Sequence, residues 1–188
     1  ACKFGAGKQA SDDIKVVTYS GVPNGLSIFA PPKFALPIRM KIAIIGSGAV
    51  GSFYGGNLAL TVECEVQFLM RADLDTVSSD GLFLKSETRG DVHLPSVNCH
   101  AATEEIGPAD LVIVALKATD NSVFEKLIQP LLHDETAILT LQNGLGNEDQ
   151  LAGLFGAERI LGGLCFVCLN RIAPGVIRHI GHGLIEMG

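Results

Sequence analysis

The residues best suited to chemistry in this chain are the glycines of Gly46-Ser47-Gly48-Ala49-Val50-Gly51. They form a G-x-G-x-x-G pattern that directly follows the apolar run Met40–Ile45 and opens a small-residue, apolar segment over 49–60. In a strand-loop-helix setting the first glycine allows a tight turn, the second lets main chain approach a diphosphate, and the third lets helix and strand pack closely. The unpaired N–H groups and positive dipole end of the helix then face the phosphates. The pattern alone is weak, because glycine supplies 22 residues of this chain and ordinary turns use it freely. Its place between a strand and a helix gives it value. Gly55 and Gly56 continue the small face of the same helix and read as packing positions.

Three further side chains fall at the ends of apolar runs. Arg71 follows residues 65–70, where an NAD-binding fold places Asp or Glu to accept hydrogen bonds from the ribose hydroxyls. A guanidinium cannot accept them but pairs bidentately with a 2′-phosphate, so NADP(H) is expected as the cofactor. Asp73 and Asp75 compete for the acidic role if the strand ends later. Lys117 follows residues 111–116, and Asn143 follows residues 136–141; each has a plainer reading, as a solvated lysine and as half of an Asn-Gly turn. Cys165 and Cys168, three apart in a strand, should point to opposite faces and are not expected to share a metal. His179 and His182 lack a partner set and read as structural or exposed, so no metal site is expected.

Bringing these residues to one edge requires alternating strands and helices. Strands are expected over Met40–Ile45, 65–70, 111–116, 136–141 and 161–169, with helices over 49–60, 72–79, 121–132 and 148–155. Gly81 should stop the second helix. The short apolar pieces at 82–84, 92–94 and 97–101 read as a hairpin-like excursion, and 176–186 as β structure in which Gly181 and Gly183 permit bends. This order is α/β, a Rossmann-type doubly wound, mainly parallel sheet.

Composition bounds the partners. The 188 residues are 47% apolar with a net charge of -6, which supports a buried core and argues against nucleic acid or an anionic membrane. No apolar run approaches the roughly 18–20 residues that a membrane helix needs. Five cysteines, an odd count at uneven spacing, suit a reducing compartment better than a disulfide framework. Residues 1–39 differ: Lys3, Lys8, Lys15, Lys33 and Arg39 stand against Asp12 and Asp13, with Pro31, Pro32 and Pro37 near the junction. They read as a poorly ordered appendage, either a leader or a segment of artificial or gene-fragment origin, preceding a domain over 40–188.

From Met40 onward the sequence resembles the amino-terminal domain of the ketopantoate reductases (2-dehydropantoate 2-reductases). The stretch KIAIIGSGAVGSFYGG, the pair Leu116-Lys117 in VIVALKATDN, the segment QNGLGN over 142–147, and the closing GGLCFVCLNRIAPGVIRHIG carry the resemblance. It implies a cytoplasmic enzyme of pantothenate biosynthesis, or an organellar one if residues 1–39 are a targeting leader. In the family NADPH reduces ketopantoate to pantoate; the full-length protein leaves room for a homodimer. It further implies cofactor contacts for the glycine loop, Arg71, Lys117 and Asn143, with Asn143 also touching substrate. The family's general-acid lysine belongs to a carboxyl-terminal helical domain expected to lie beyond Gly188, so no catalytic residue is expected within this chain. A non-catalytic NADP-binding fragment and another 2-hydroxyacid-type dehydrogenase are the competing readings. Thr61-Val62-Glu63-Cys64 lacks a glycine often found before the family's second strand, so that helix must end differently.

Overall fold

The computed structural model describes residues 39–188 except Val62, together with the backbone of a short strand, β1 (Lys15–Val17). The remainder of the expected leader, and with it the expectation of poor order, lies outside the described residues.

Strand β2 (Met40–Ile45) is the centre of the fold. Its alternate residues face opposite ways: Ile42 and Ile44 enter one apolar cluster with Phe53, Tyr54 and Phe68. Ala43 and Ile45 enter another with Val112, Phe124 and Ile138. Burial on both faces is the requirement of a parallel sheet. On one side β2 pairs in parallel with β3 (Cys64–Leu69), which pairs with β6 (Asn98–His100). On the other it pairs with β7 (Leu111–Val114), followed by β8 (Ala137–Thr140) and the start of β9 (Ile160–Ala173). The resulting order, β6-β3-β2-β7-β8-β9, is the doubly wound 3-2-1-4-5-6 arrangement, in which the strands stay parallel and the strand order reverses between β2 and β7.

A second layer covers one face. Strands β4 (Leu82–Ser86) and β5 (Val92–Leu94) form a hairpin, β4 pairs in parallel with β10 (Val176–Met187), and β10 runs antiparallel to β9. Helix α1 (Ala49–Ala59) is enclosed between the two layers. Consecutive glycines make this fit: a Cβ at Gly55 would lie 2.6 Å from the Phe68 ring, and one at Gly56 would lie 3.0 Å from Leu84 of the covering layer. Phe53 on the same helix stacks on the fully buried His179 ring at 4.6 Å.

Three expectations are revised. Residues 97–101 are not part of the hairpin excursion; β6 joins the parallel sheet beside β3, and only β4 and β5 form the hairpin. The helix expected over 121–132 is broken into a 3-10 turn (Ala118–Val123), a short α4 (Phe124–Ile128) and a second 3-10 turn (Gln129–Leu131). Pro130 has no N–H to continue the ladder, and Asn121 spends its side chain elsewhere. Strand β9 continues well past residue 169, because its second half has β10 as a partner. The glycine-free end of α1 closes instead by tightening: the Thr61 amide and hydroxyl both donate to the Leu58 carbonyl, at 2.9 and 2.8 Å. Among the described residues no helix is long and apolar enough to cross a membrane.

Candidate functional site

The loop after β2 lies at the topological switch point. Gly46 has φ +98, and a Cβ there would sit 2.5 Å from the Leu116 nitrogen, so the turn presses directly on the chain leaving β7. Gly51 is buried, with its Cβ position 2.3 Å from the Gly46 carbonyl oxygen; it brings α1 onto the loop. The Ser47 hydroxyl donates to the Leu69 carbonyl at 2.7 Å. That bond ties the loop to the end of β3 and makes Ser47 a structural member of the turn. Gly48 differs from its neighbours: it is exposed, and a Cβ there would meet no protein atom within 4 Å.

Gly48 is also the N-cap of α1, with no side chain capping it and no acidic residue in the first turn. The first intrahelical bond runs from Ser52 N to Gly48 O, so the amides before it lack helical partners. The other described α-helices answer this with carboxylates: Asp75 in α2 (Leu74–Asp80), Glu104 and Glu105 in α3 (Thr103–Ile106), Glu125 in α4, and Glu148 and Asp149 in α5 (Asn147–Phe155). The positive end of α1 is therefore left open beside Ala49 and Val50, and an anion would stabilise it. A diphosphate fits this cradle, because Gly48 alone among the three motif glycines faces open space.

The parallel strands all end on this edge, which places Arg71, Lys117 and Asn143 along it; all three are exposed. Arg71 stands after β3 on one side of the loop, Lys117 after β7 and Asn143 after β8 on the other. The span from β3 to β8 is three strand spacings, about 14 Å, a length suited to an extended dinucleotide. Asp73 is not available as a ribose acceptor. It is 8% exposed and accepts hydrogen bonds from the Arg171 guanidinium, with Nε at 2.7 Å, and from the Gly175 amide at 3.1 Å. Arg171 holds the Asp73 carboxyl below its ordinary value, against the opposing effect of burial. Asp75 lies in the first turn of α2.

Sequence reasoning missed a set of amide side chains beneath Asn143. Gln142 and Asn147 are buried, and both hydrogen-bond to Asn121 at 2.9 Å. The signal was present as amides flanking Asn143 in QNGLGN, but their partner lies in another loop. Cys165 and Cys168 do lie on opposite faces of β9, the first half-buried and the second exposed.

A parallel sheet of this order, with a glycine loop at its switch point, defines a Rossmann-like α/β domain. The sequence profile described as Ketopantoate reductase PanE/ApbA matches residues 42–188, and the chain belongs to that family. It is 40% identical over 148 residues to the 2-dehydropantoate 2-reductase of Nostoc sp., covering 79% of this chain and 46% of that protein. The crystal structure of 2-dehydropantoate 2-reductase from Geobacter metallireducens GS-15 superposes with a TM-score of 0.77 at 52% identity, covering 79% of this chain and 49% of that one. D-mandelate dehydrogenase in ternary complex with NADH and anilino(oxo)acetate is similar at 28% identity and a TM-score of 0.68, over 77% of this chain and 46% of that one. The chain thus spans about half the length of the relatives it matches.

Proposed function

We propose that this chain is the NADPH-binding part of a 2-dehydropantoate 2-reductase, the enzyme that reduces the ketone of ketopantoate to the alcohol of pantoate. The names of the similar proteins support the reaction, and the sheet edge supports the cofactor. The amides around Gly48, Ala49 and Val50 would hold the diphosphate, with Gly46, Ser47 and Gly51 shaping the turn. Arg71 would pair with the 2′-phosphate. When bound, NADPH supplies hydride to the ketone carbon. The Lys117 ammonium offers positive charge to anionic groups of cofactor or substrate at the other end of the edge. Asn143, with both donors and an acceptor, orients the nicotinamide end and the substrate. The proton donor is assigned to none of these residues. Acidic net charge and free cysteines fit a reducing aqueous compartment such as the cytoplasm.

The observation that carries NADPH over NADH is the end of β3, where Arg71 is exposed without an ion pair among the described residues while Asp73 is held by Arg171. A second reading, an NADH-dependent reductase of another 2-keto acid, draws on the likeness to D-mandelate dehydrogenase with NADH. Titration with NADPH and with NADH, followed by nicotinamide fluorescence, separates them. NADPH should bind more tightly. Arg71→Ala should abolish the preference by weakening NADPH roughly 10- to 150-fold, the equivalent of one charge-assisted contact. A preference for NADH would favour the second reading, and binding of neither would remove the cofactor assignment.

A further inference from the structure

Asn121 lies four residues beyond Lys117, in the 3-10 turn Ala118–Val123 that the Lys117 carbonyl begins by accepting from the Asp120 amide at 2.8 Å. Every polar function of its side chain is used. Its Oδ1 accepts from Gln142 Nε2 at 2.9 Å, and its Nδ2 donates to Asn147 Oδ1 and to Gln150 Oε1, each at 2.9 Å. Gln142 closes the β8 side, its Oε1 accepting from the Thr140 hydroxyl at 3.1 Å. Asn147, only 2% exposed, passes the chain onward: its Nδ2 donates to the carbonyls of Asn143 and Gly144, at 3.4 and 3.3 Å. A continuous path of amides therefore runs from the turn behind Lys117 to the peptide that carries Asn143.

The direction of each amide in this path is forced. Asn147 must aim its NH2 at two carbonyls, so its oxygen faces Asn121 and demands a donor there. Were Asn147 to flip, its oxygen would meet the Asn143 and Gly144 carbonyls, acceptor against acceptor. A mismatch introduced at residue 121 is thus transmitted to the Asn143 loop and cannot be absorbed along the way.

We infer that Asn121 is a positioning residue that locks the Lys117 and Asn143 loops in one mutual arrangement, and so sets the nicotinamide end of the site independently of the adenosine end. This rests on the dinucleotide reading given above. Asn121→Asp keeps the shape and the acceptor for Gln142 but replaces the donor facing Asn147 and Gln150 with an acceptor. Asn121→Ala removes the bridge without adding charge, so repulsion of an anionic ligand cannot imitate its effect.

The test measures two ligands on the 188-residue chain: NADPH, which spans the whole edge, and adenosine 2′,5′-bisphosphate, which reaches only the glycine-loop and Arg71 side. Both variants should bind NADPH up to about 10-fold more weakly, in keeping with the ordering of about one loosened side chain being deferred to the binding step, and should bind the bisphosphate as the wild type does. If Asn121→Asp loses its cooperative thermal transition, Asn121→Ala decides the matter. Variants indistinguishable from wild type with NADPH, or losing both ligands in equal proportion, would overturn the positioning role. A wild-type chain that binds neither ligand would remove the dinucleotide reading and this inference with it, whereas wild-type binding with unaffected variants removes the inference alone.

Discussion

Placing a serine at Gly48 should separate binding from stability. The position has φ -80 and ψ -157, extended geometry that serine adopts without strain, and no protein atom lies within 4 Å of its Cβ site. It is also the uncapped N-terminus of α1, where a serine hydroxyl accepts from the orphan amides and improves on glycine by only a few tenths of a kcal/mol. For a chain of this size the melting temperature should therefore stay within about 1 °C of wild type or rise slightly. The same hydroxyl occupies the amides assigned to the diphosphate and holds main chain and ligand apart. Losing one charge-assisted contact of about 1.5–3 kcal/mol predicts NADPH binding weaker by roughly 10- to 150-fold. Gly51→Ala is the contrast: its Cβ would lie 2.3 Å from the Gly46 carbonyl oxygen and 3.0 Å from Ile44 Cγ2, so overpacking should cost about 1–3 kcal/mol and several degrees of melting temperature. Fluorescence titration and a thermal melt on each variant provide the readout. A Gly48→Ser chain that binds NADPH like wild type would refute the claim that this crest touches the ligand.

Asp73→Asn should destabilise the fold by about 1–2 kcal/mol at neutral pH, a charged hydrogen-bond value discounted because the Arg171 side chain is 40% exposed. Because the folded carboxyl titrates below its unfolded value, the contribution is present above about pH 4 and is lost as pH falls through the folded pKa. Urea unfolding of both proteins should thus show a constant penalty from pH 7 to about pH 5 that shrinks in stronger acid; a penalty unchanged at the lowest pH would mean that charge plays no part. Burial pushes the Cys165 thiol up to about 11, whereas Cys168 is exposed. A thiol reagent near pH 8 should therefore label Cys168 well before Cys165 in the folded chain, as read by peptide mass spectrometry, and equal rates would contradict the placement of β9.

The parts of the fold that local pattern controls were legible in advance. The run around Ile44 and Ile45, followed at once by Gly46 and the small residues of α1, announces a buried parallel strand and a close-packed helix, and that unit stands where expected. What escaped depends on partners distant in the chain. β6 is three residues long and looks like a continuation of the hairpin; only its pairing with β3 assigns it to the parallel sheet. Asp73 looked as eligible for a ribose as Asp75, because Arg171, which claims it, lies 98 residues away. The amide path through Asn121 was invisible for the same reason: a polar residue in an apolar-spaced segment reads as a helix's wet face until the opposing loop is seen. His179 read only as structural or exposed, and its complete burial follows from Phe53 stacking on one side and the Ser86 hydroxyl 2.7 Å from its Nδ1.

Strand β9 belongs to both layers, starting beside β8 and finishing beside β10. A single unbroken backbone thus acts as the spine of a clasp around α1, and neither jaw can swing away without breaking the strand's own ladder. The amides at the tip of that helix are consequently held in place without a ligand, so the diphosphate binding proposed for them would lose little ordering entropy there. Affinity at this end of the site is then governed by what the ligand touches rather than by how far the protein must rearrange.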